Sequence, residues 1–175
     1  MTLSSSLTTS RLIIRRLASQ DIDLFLTMES DPEVMRFTTG VIEATPERRA
    51  ELWAAVRAQR TDGLGHWCVE KDSAAIGWIS LTSLEDTGRI QLGYRFTRTA
   101  WGHGYATEAG QAMVEYSESV LQLAECVAVV WPVNEASKRV LFKLQFSYEG
   151  LSHHYGRDVE VFCRSSMRQT PFSIS

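Results

Sequence analysis

The sequence predicts one mixed α/β (α+β) domain, and three observations carry that expectation. Apolar residues alternate over some segments and recur every three or four residues over others, in the order strand, helices, three strands, helix, strand, helix, two strands. Three consecutive central strands suggest an antiparallel meander, whereas the later strand–helix–strand suggests a parallel crossover. At 175 residues, with 44% hydrophobic and 22% charged side chains, the chain has the size and composition of one globular domain.

Residues 1–10 are rich in Ser and Thr and read as a flexible N-terminus; 11–168 reads as the domain and 169–175 as a tail. Arg11–Leu17 alternates and carries β-branched residues, so it reads as a strand. Ser19 is placed to cap a helix with Ile22, Phe25 and Leu26 on one face. Asp31-Pro32-Glu33 has the chemistry of a second, short helix start. Thr45-Pro46-Glu47 repeats it and leads to about Arg60, with Leu52, Trp53 and Val56 inward and Gly63-Leu64-Gly65 as the stop. His66–Glu70, Ala75–Leu84 and Arg89–Phe96 form the central strands. Thr107–Leu121 is apolar at 109, 112, 113, 116 and 120, a helical face. Cys126–Trp131 is nearly all apolar and suits a central strand buried on both faces. Asn134 caps a helix bearing Ala136, Val140, Leu141 and Leu144. Phe146–Leu151 and Val159–Met167 close the chain as a hairpin around Gly156. Trp53, Trp67, Trp78 and Trp131 fall on periodic positions and read as core, and Arg15-Arg16 and Arg48-Arg49 read as solvated charge.

Composition excludes several function classes. The net charge of −3 and a pI near 5.8 disfavour a dedicated nucleic-acid binder, which would carry a basic excess. No apolar run approaches the length of a membrane span, and the N-terminus lacks a secretory signal. Cys68, Cys126 and Cys163 are odd in number and lack CxxC spacing, so neither a disulfide framework nor a zinc site is expected. A cytoplasmic protein without metal follows, free of membrane and direct nucleic-acid contacts.

Gln91–Ala112 carries the chemistry. A strand runs into Trp101-Gly102-His103-Gly104-Tyr105-Ala106, and a helix begins at once. Backbone N–H groups at such a turn converge on one anion, the helix start adds partial positive charge, and glycine lets the oxygens approach. A Walker loop is excluded, since no Gly-Lys-Ser/Thr follows, and Thr107 stands at the third glycine position of a dinucleotide fingerprint.

This hexapeptide resembles the Q/R-x-x-G-x-G/A coenzyme A signature of the GNAT acetyltransferases, in particular the RimJ/RimL-like branch that acetylates ribosomal protein N-termini. TSRLIIRRL, SDPEVMRF, LGYRF, WGHGYATEA and NEASKRVLFKLQF match in order, from about Thr9 to Met167. The resemblance implies a mixed, mostly antiparallel twisted sheet, splayed between its fourth and fifth strands and flanked by helices, with acetyl-CoA in the splay. It places Tyr94, Phe96 and Thr97 along the pantetheine arm. Trp101, Gly102, His103, Gly104, Tyr105, Ala106 and Thr107 fall around the pyrophosphate, and Asn134 and Ser137 by the sulfur. It implies acetyl transfer to a primary amine, which a protein N-terminus, peptide or small amine could supply, by a monomer or homodimer. A non-catalytic acyl-CoA-binding module is the alternative.

Acetyl transfer needs a neutral amine, a polarised thioester and a proton for the departing thiolate. An α-amine with pKa about 7.8 is neutral far more often than a lysine at about 10.4, a difference of roughly 3.5 kcal/mol. Relatives often read E-I-G-Y where this chain has Gln91-Leu92-Gly93-Tyr94; Gln91 cannot take a proton but can bind substrate or water. Phe142 lies near where many relatives carry a tyrosine, leaving Ser137 as the candidate proton donor, with a capping role as its other reading. Gln145 stands where glycine is usual. Glu108 sits in a first helical turn and reads as structural. His153, His154 and Tyr155 lie before the last strand, and His154 is the candidate base or proton relay.

Overall fold

A computed structural model describes residues 6–58 and 60–166. Met167 and the predicted tail at 169–175 lie outside the described residues. One eight-stranded sheet runs through the molecule in the order β1-β2-β3-β4-β5-β6-β8-β7. Its strands are β1 (Ser6–Thr8), β2 (Ile13–Arg16), β3 (Gly65–Lys71), β4 (Ala74–Ser83), β5 (Ile90–Phe96), β6 (Glu125–Val130), β7 (Ser147–His154) and β8 (Arg157–Ser165). Four α-helices flank it: α1 (Ile22–Ser30), α2 (Pro46–Arg57), α3 (Tyr105–Ser119) and α4 (Glu135–Lys143). All neighbouring strands are antiparallel except β5 and β6. That parallel junction requires the α3 crossover, as the sequence order predicts.

The β5–β6 junction is short. Gln91 opposite Val127 is the one paired position; beyond it the strands separate. These are the fourth and fifth predicted strands, renumbered by β1. The apolar stripe of α3 buries Ala109, Met113 and Tyr116 against the sheet. β6 lies between β5 and β8, with Cys126, Val127, Ala128 and Val130 buried. Asn134 caps α4 through Oδ1, which accepts from the Ser137 N–H at 3.2 Å. Gln145 adopts φ 64, so the turn that favours glycine survives with a larger residue.

Several expectations are corrected. Ser6–Thr8 pairs with β2, and Thr9 and Ser10 bind Glu108, so this part of the predicted flexible start is anchored. Ser19 does not cap α1; the Asp21 carboxylate takes the Ala18 N–H at 2.7 Å. No second helix forms after Asp31. Its Oδ1 draws the N–H groups of Glu33 and Val34 into a local turn, and hydrogen-bonded turns continue to Thr39. Trp53 is 44% exposed and α2 buries none of its residues. Of the four tryptophans expected in the core, only Trp67 is fully buried; Trp78 and Trp131 line a cavity instead. Arg15 and Arg48 are not solvated charge. They clamp the buried carboxylates of Asp21 and Glu29 with bonds of 2.7–2.9 Å. The final hairpin is longer than predicted and closes through Tyr155-Gly156, both at positive φ as a tight two-residue turn requires.

Candidate active site

The separation of β5 from β6 opens a cavity of about 590 Å³. Past Gln91, β5 has no strand neighbour on that side, so outward backbone groups border the opening. The Phe96 carbonyl is an exception, since it accepts from Trp101 Nε1 at 3.0 Å. Tyr94, Phe96, Trp101, Gly102, Gly104, Ala106, Thr107, Asn134 and Ser137 line the cavity together, nine of the predicted positions.

Glycine geometry shapes one end. Gly102 and Gly104 have φ of 78 and 80, the left-handed region that disfavours a side chain. A Cβ on Gly102 would meet open space, so the protein itself does not fill this notch. Glu108 N–H is bonded to the Gly104 carbonyl, while the N–H groups of Tyr105, Ala106 and Thr107 precede the helix's own acceptors. They form the positive end of a fifteen-residue helix. This cradle fits a pyrophosphate, and the open strand edge fits an amide-bearing arm.

The other predicted cofactor residues serve that end from behind. Thr97 directs its N–H and hydroxyl to the Ile76 carbonyl. The His103 ring stacks on Tyr105, and its carbonyl accepts from Arg11 Nη1 at 2.9 Å. Tyr105 is buried beneath the Arg11 guanidinium. None of these three side chains lines the cavity. Glu108 takes bonds from Thr9 Oγ1, Arg11 N and Arg11 Nε at 2.6–2.9 Å. Burial raises its pKa, but the Thr9 and Arg11 contacts prevail and hold it below the usual carboxylate range. It is a structural anchor.

Ser137 occupies the junction of α4 and the cavity. Its Oγ accepts from Asn134 Nδ2 at 3.2 Å, and no acceptor holds its hydroxyl hydrogen among the described residues. Asn134 is the cap, which removes the capping role from the Ser137 side chain. Beside it, Tyr94 OH points to the Ser137 carbonyl at 3.5 Å. Burial pushes the Tyr94 phenol up to about 12, so it stays protonated at neutral pH.

The opposite end is built from distant side chains. Strand alternation puts Gln91, Gly93 and Arg95 on the face toward α1, where Arg95 lies over Trp78 and Trp78 stacks on Phe25. The turn segment after α1 brings Phe37 against Trp131, and Arg157 covers the same indole at 3.9 Å. Gln91 and His154 do not line the cavity. They belong to one network outside it: Gln91 Nε2 donates to Tyr155 OH, and Glu85 takes the Tyr155 N–H and His154 Nδ1. His154 lies in β7, not in a loop, and is 9% exposed. The sequence reading missed Trp78, Trp131, Phe37 and Glu85; for Glu85 there was no local signal.

Among the described residues, no group of three or more His, Cys, Asp or Glu could hold a metal ion. A family model described as acetyltransferase (GNAT) domain matches residues 11–147. The uncharacterized N-acetyltransferase YoaA of Bacillus subtilis (strain 168) is 31% identical over 153 residues, covering 85% of this chain and 86% of that protein. A GNAT-family acetyltransferase from Bacillus anthracis superposes with a TM-score of 0.77 at 24% identity, covering 91% and 98% of the two chains. RimL, a ribosomal L7/L12 alpha-N-protein acetyltransferase solved with coenzyme A, superposes with a TM-score of 0.75 at 16% identity, covering 90% and 96%. The family match spans most of the chain, the fold agrees, and the chain belongs to the GNAT acetyltransferases.

Proposed function

We propose that this acetyltransferase seats acetyl-CoA in the β5–β6 opening and acetylates the α-amine of a protein N-terminus by direct attack. The observation that carries this reading is Ser137. It lines the opening, and its hydroxyl accepts from Asn134 Nδ2 and retains a hydrogen to donate. Bound acetyl-CoA supplies an acetyl group already activated as a thioester. The N–H groups around Gly102–Thr107 hold its diphosphate, and the edge of β5 near Tyr94 and Phe96 flanks the pantetheine. Ser137 protonates the sulfur as it departs. The amine proton leaves toward Gln91 and Tyr155 and reaches His154 through water.

Two features favour an α-amine. RimL, a fold neighbour, is named for an α-N-protein substrate. The cavity holds no carboxylate except Glu33, and the α-amine is the acceptor that needs least help in losing a proton. The three cysteines are unpaired, and no helix among the described residues is long and apolar enough to cross a membrane. A cytoplasmic setting fits both.

Thiol release tests this reading. Peptides with a free N-terminus should exceed N-blocked, lysine-bearing peptides in kcat/KM by on the order of a hundredfold, following amine neutrality. Ser137→Ala should lower kcat by roughly a hundredfold or more with KM for acetyl-CoA kept within about threefold. Equal or inverted peptide preference would overturn the acceptor assignment, and an unimpaired Ser137→Ala the proton donor.

A further inference from the structure

Glu85 lies in the turn between β4 and β5, at φ 44, a left-handed conformation unusual for glutamate. Its carboxylate reaches the β7–β8 hairpin. Oε2 lies 2.7 Å from His154 Nδ1, and Oε1 accepts the Tyr155 N–H at 3.0 Å. The Tyr155 hydroxyl then accepts from Gln91 Nε2, at the point where β5 and β6 part. The His154 contact, with the Tyr155 N–H, holds the Glu85 carboxyl below the usual carboxylate range, so it is an acceptor at neutral pH. An ionised carboxylate has no hydrogen to give, so Nδ1 carries the hydrogen of the pair and Nε2 keeps its lone pair.

We propose that Glu85 is a positioning residue for acetyl transfer: it fixes His154 in the Nδ1–H form and sets Tyr155 on Gln91, leaving His154 Nε2 to take the amine proton. This rests on the acetyl-transfer reading above. As the N–C bond forms and the C–S bond breaks, Nε2 receives the amine proton through water and Ser137 gives its hydroxyl proton to the sulfur. Solvent then returns one proton to Ser137 and removes one from His154. Gln91 has no titratable group, so Glu85 supplies through His154 the negative charge that position 91 on β5 lacks. The other charges around His154 do not replace it. Arg157, its cross-strand partner, is a cation stacked on Trp131, and His153 is paired with Asp158 at 2.9 Å.

The test uses the full chain and compares Glu85→Gln, His154→Gln and the double variant. Glu85→Gln should lower kcat/KM for the acceptor by roughly tenfold or more and leave KM for acetyl-CoA within about twofold. The double variant should be no slower than His154→Gln alone, because Glu85 acts through the histidine. Nitrogen-15 NMR of the unliganded protein adds a readout independent of turnover: His154 should show the Nδ1–H tautomer, and Glu85→Gln should lose it. Multiplicative losses, an unimpaired His154→Gln, or an Nε2–H tautomer in the unaltered protein would each overturn the proposal while Ser137-dependent turnover stands. No thiol release with any amine would overturn both readings.

Discussion

The two ends of the opening are built from different materials. The end around Gly102–Thr107 is main chain: two left-handed glycines, the first three N–H groups of a helix, and a strand edge. The other end is side chain: Phe37, Trp78 and Trp131 wall it, and the network beside it, outside the cavity, joins Gln91, Glu85, His154 and Tyr155 across 64 to 70 positions. A backbone site serves a ligand whose shape does not change, since any residue with suitable φ and ψ presents the same N–H. A side-chain site can be rebuilt residue by residue, which suits the acceptor role proposed for the second end. The difference predicts separable damage: changes at the first end fall on acetyl-CoA, and changes at the second fall on the amine.

Gly102→Ala breaks the first end with the largest expected effect. The protein leaves space for the new methyl, so packing is undisturbed. The left-handed backbone and the approaching ligand oppose it, and KM for acetyl-CoA should rise by roughly ten- to a hundredfold. Acceptor kcat/KM at saturating acetyl-CoA should stay within about threefold. An acceptor defect of the same size would erase the distinction between the ends.

Tyr155→Phe breaks the second end more gently. It removes the hydroxyl that accepts from Gln91 but keeps the backbone bond to Glu85. Acceptor kcat/KM should fall by roughly three- to tenfold, as for the loss of one hydrogen bond of about 1 kcal/mol. KM for acetyl-CoA should not move.

The same contrast explains what was legible in the sequence. Gly102, Gly104, Asn134 and the stripe of α3 are local signals, in which spacing alone dictates conformation, and they led to the backbone end. The place of Ser137 beside the Asn134 cap was readable because it follows Asn134 by three positions on the same helical turn. The Glu85 network was not readable. Glu85 sits in an ordinary polar turn, and only the curl of the long β7–β8 hairpin brings Tyr155 and His154 to it. Trp78 and Trp131 show the converse failure: periodicity marks them as apolar-facing, but it cannot tell a core from the wall of an opening. Asp31 misled because a capping side chain serves a turn as well as a helix.

Glu108 sharpens the comparison at its smallest scale, because it ties the backbone end to the start of the chain without touching ligand. Glu108→Gln should cost about 1 kcal/mol, since Arg11 is half exposed and solvent screens the pair. Its pH dependence has a definite sign. The folded-state pKa is depressed below the ordinary 4.5, so the contribution is complete above that value and is lost as pH falls through the depressed one. Thermal unfolding of the two proteins should therefore differ at neutral pH and converge in acid. KM for acetyl-CoA should change less than in Gly102→Ala, because the N–H groups of Tyr105, Ala106 and Thr107 stay in place. A loss of acetyl-CoA affinity as large as the glycine variant's would mean that this carboxylate sets the position of the helix start. The backbone end would then depend on a distant side chain as much as the acceptor end does.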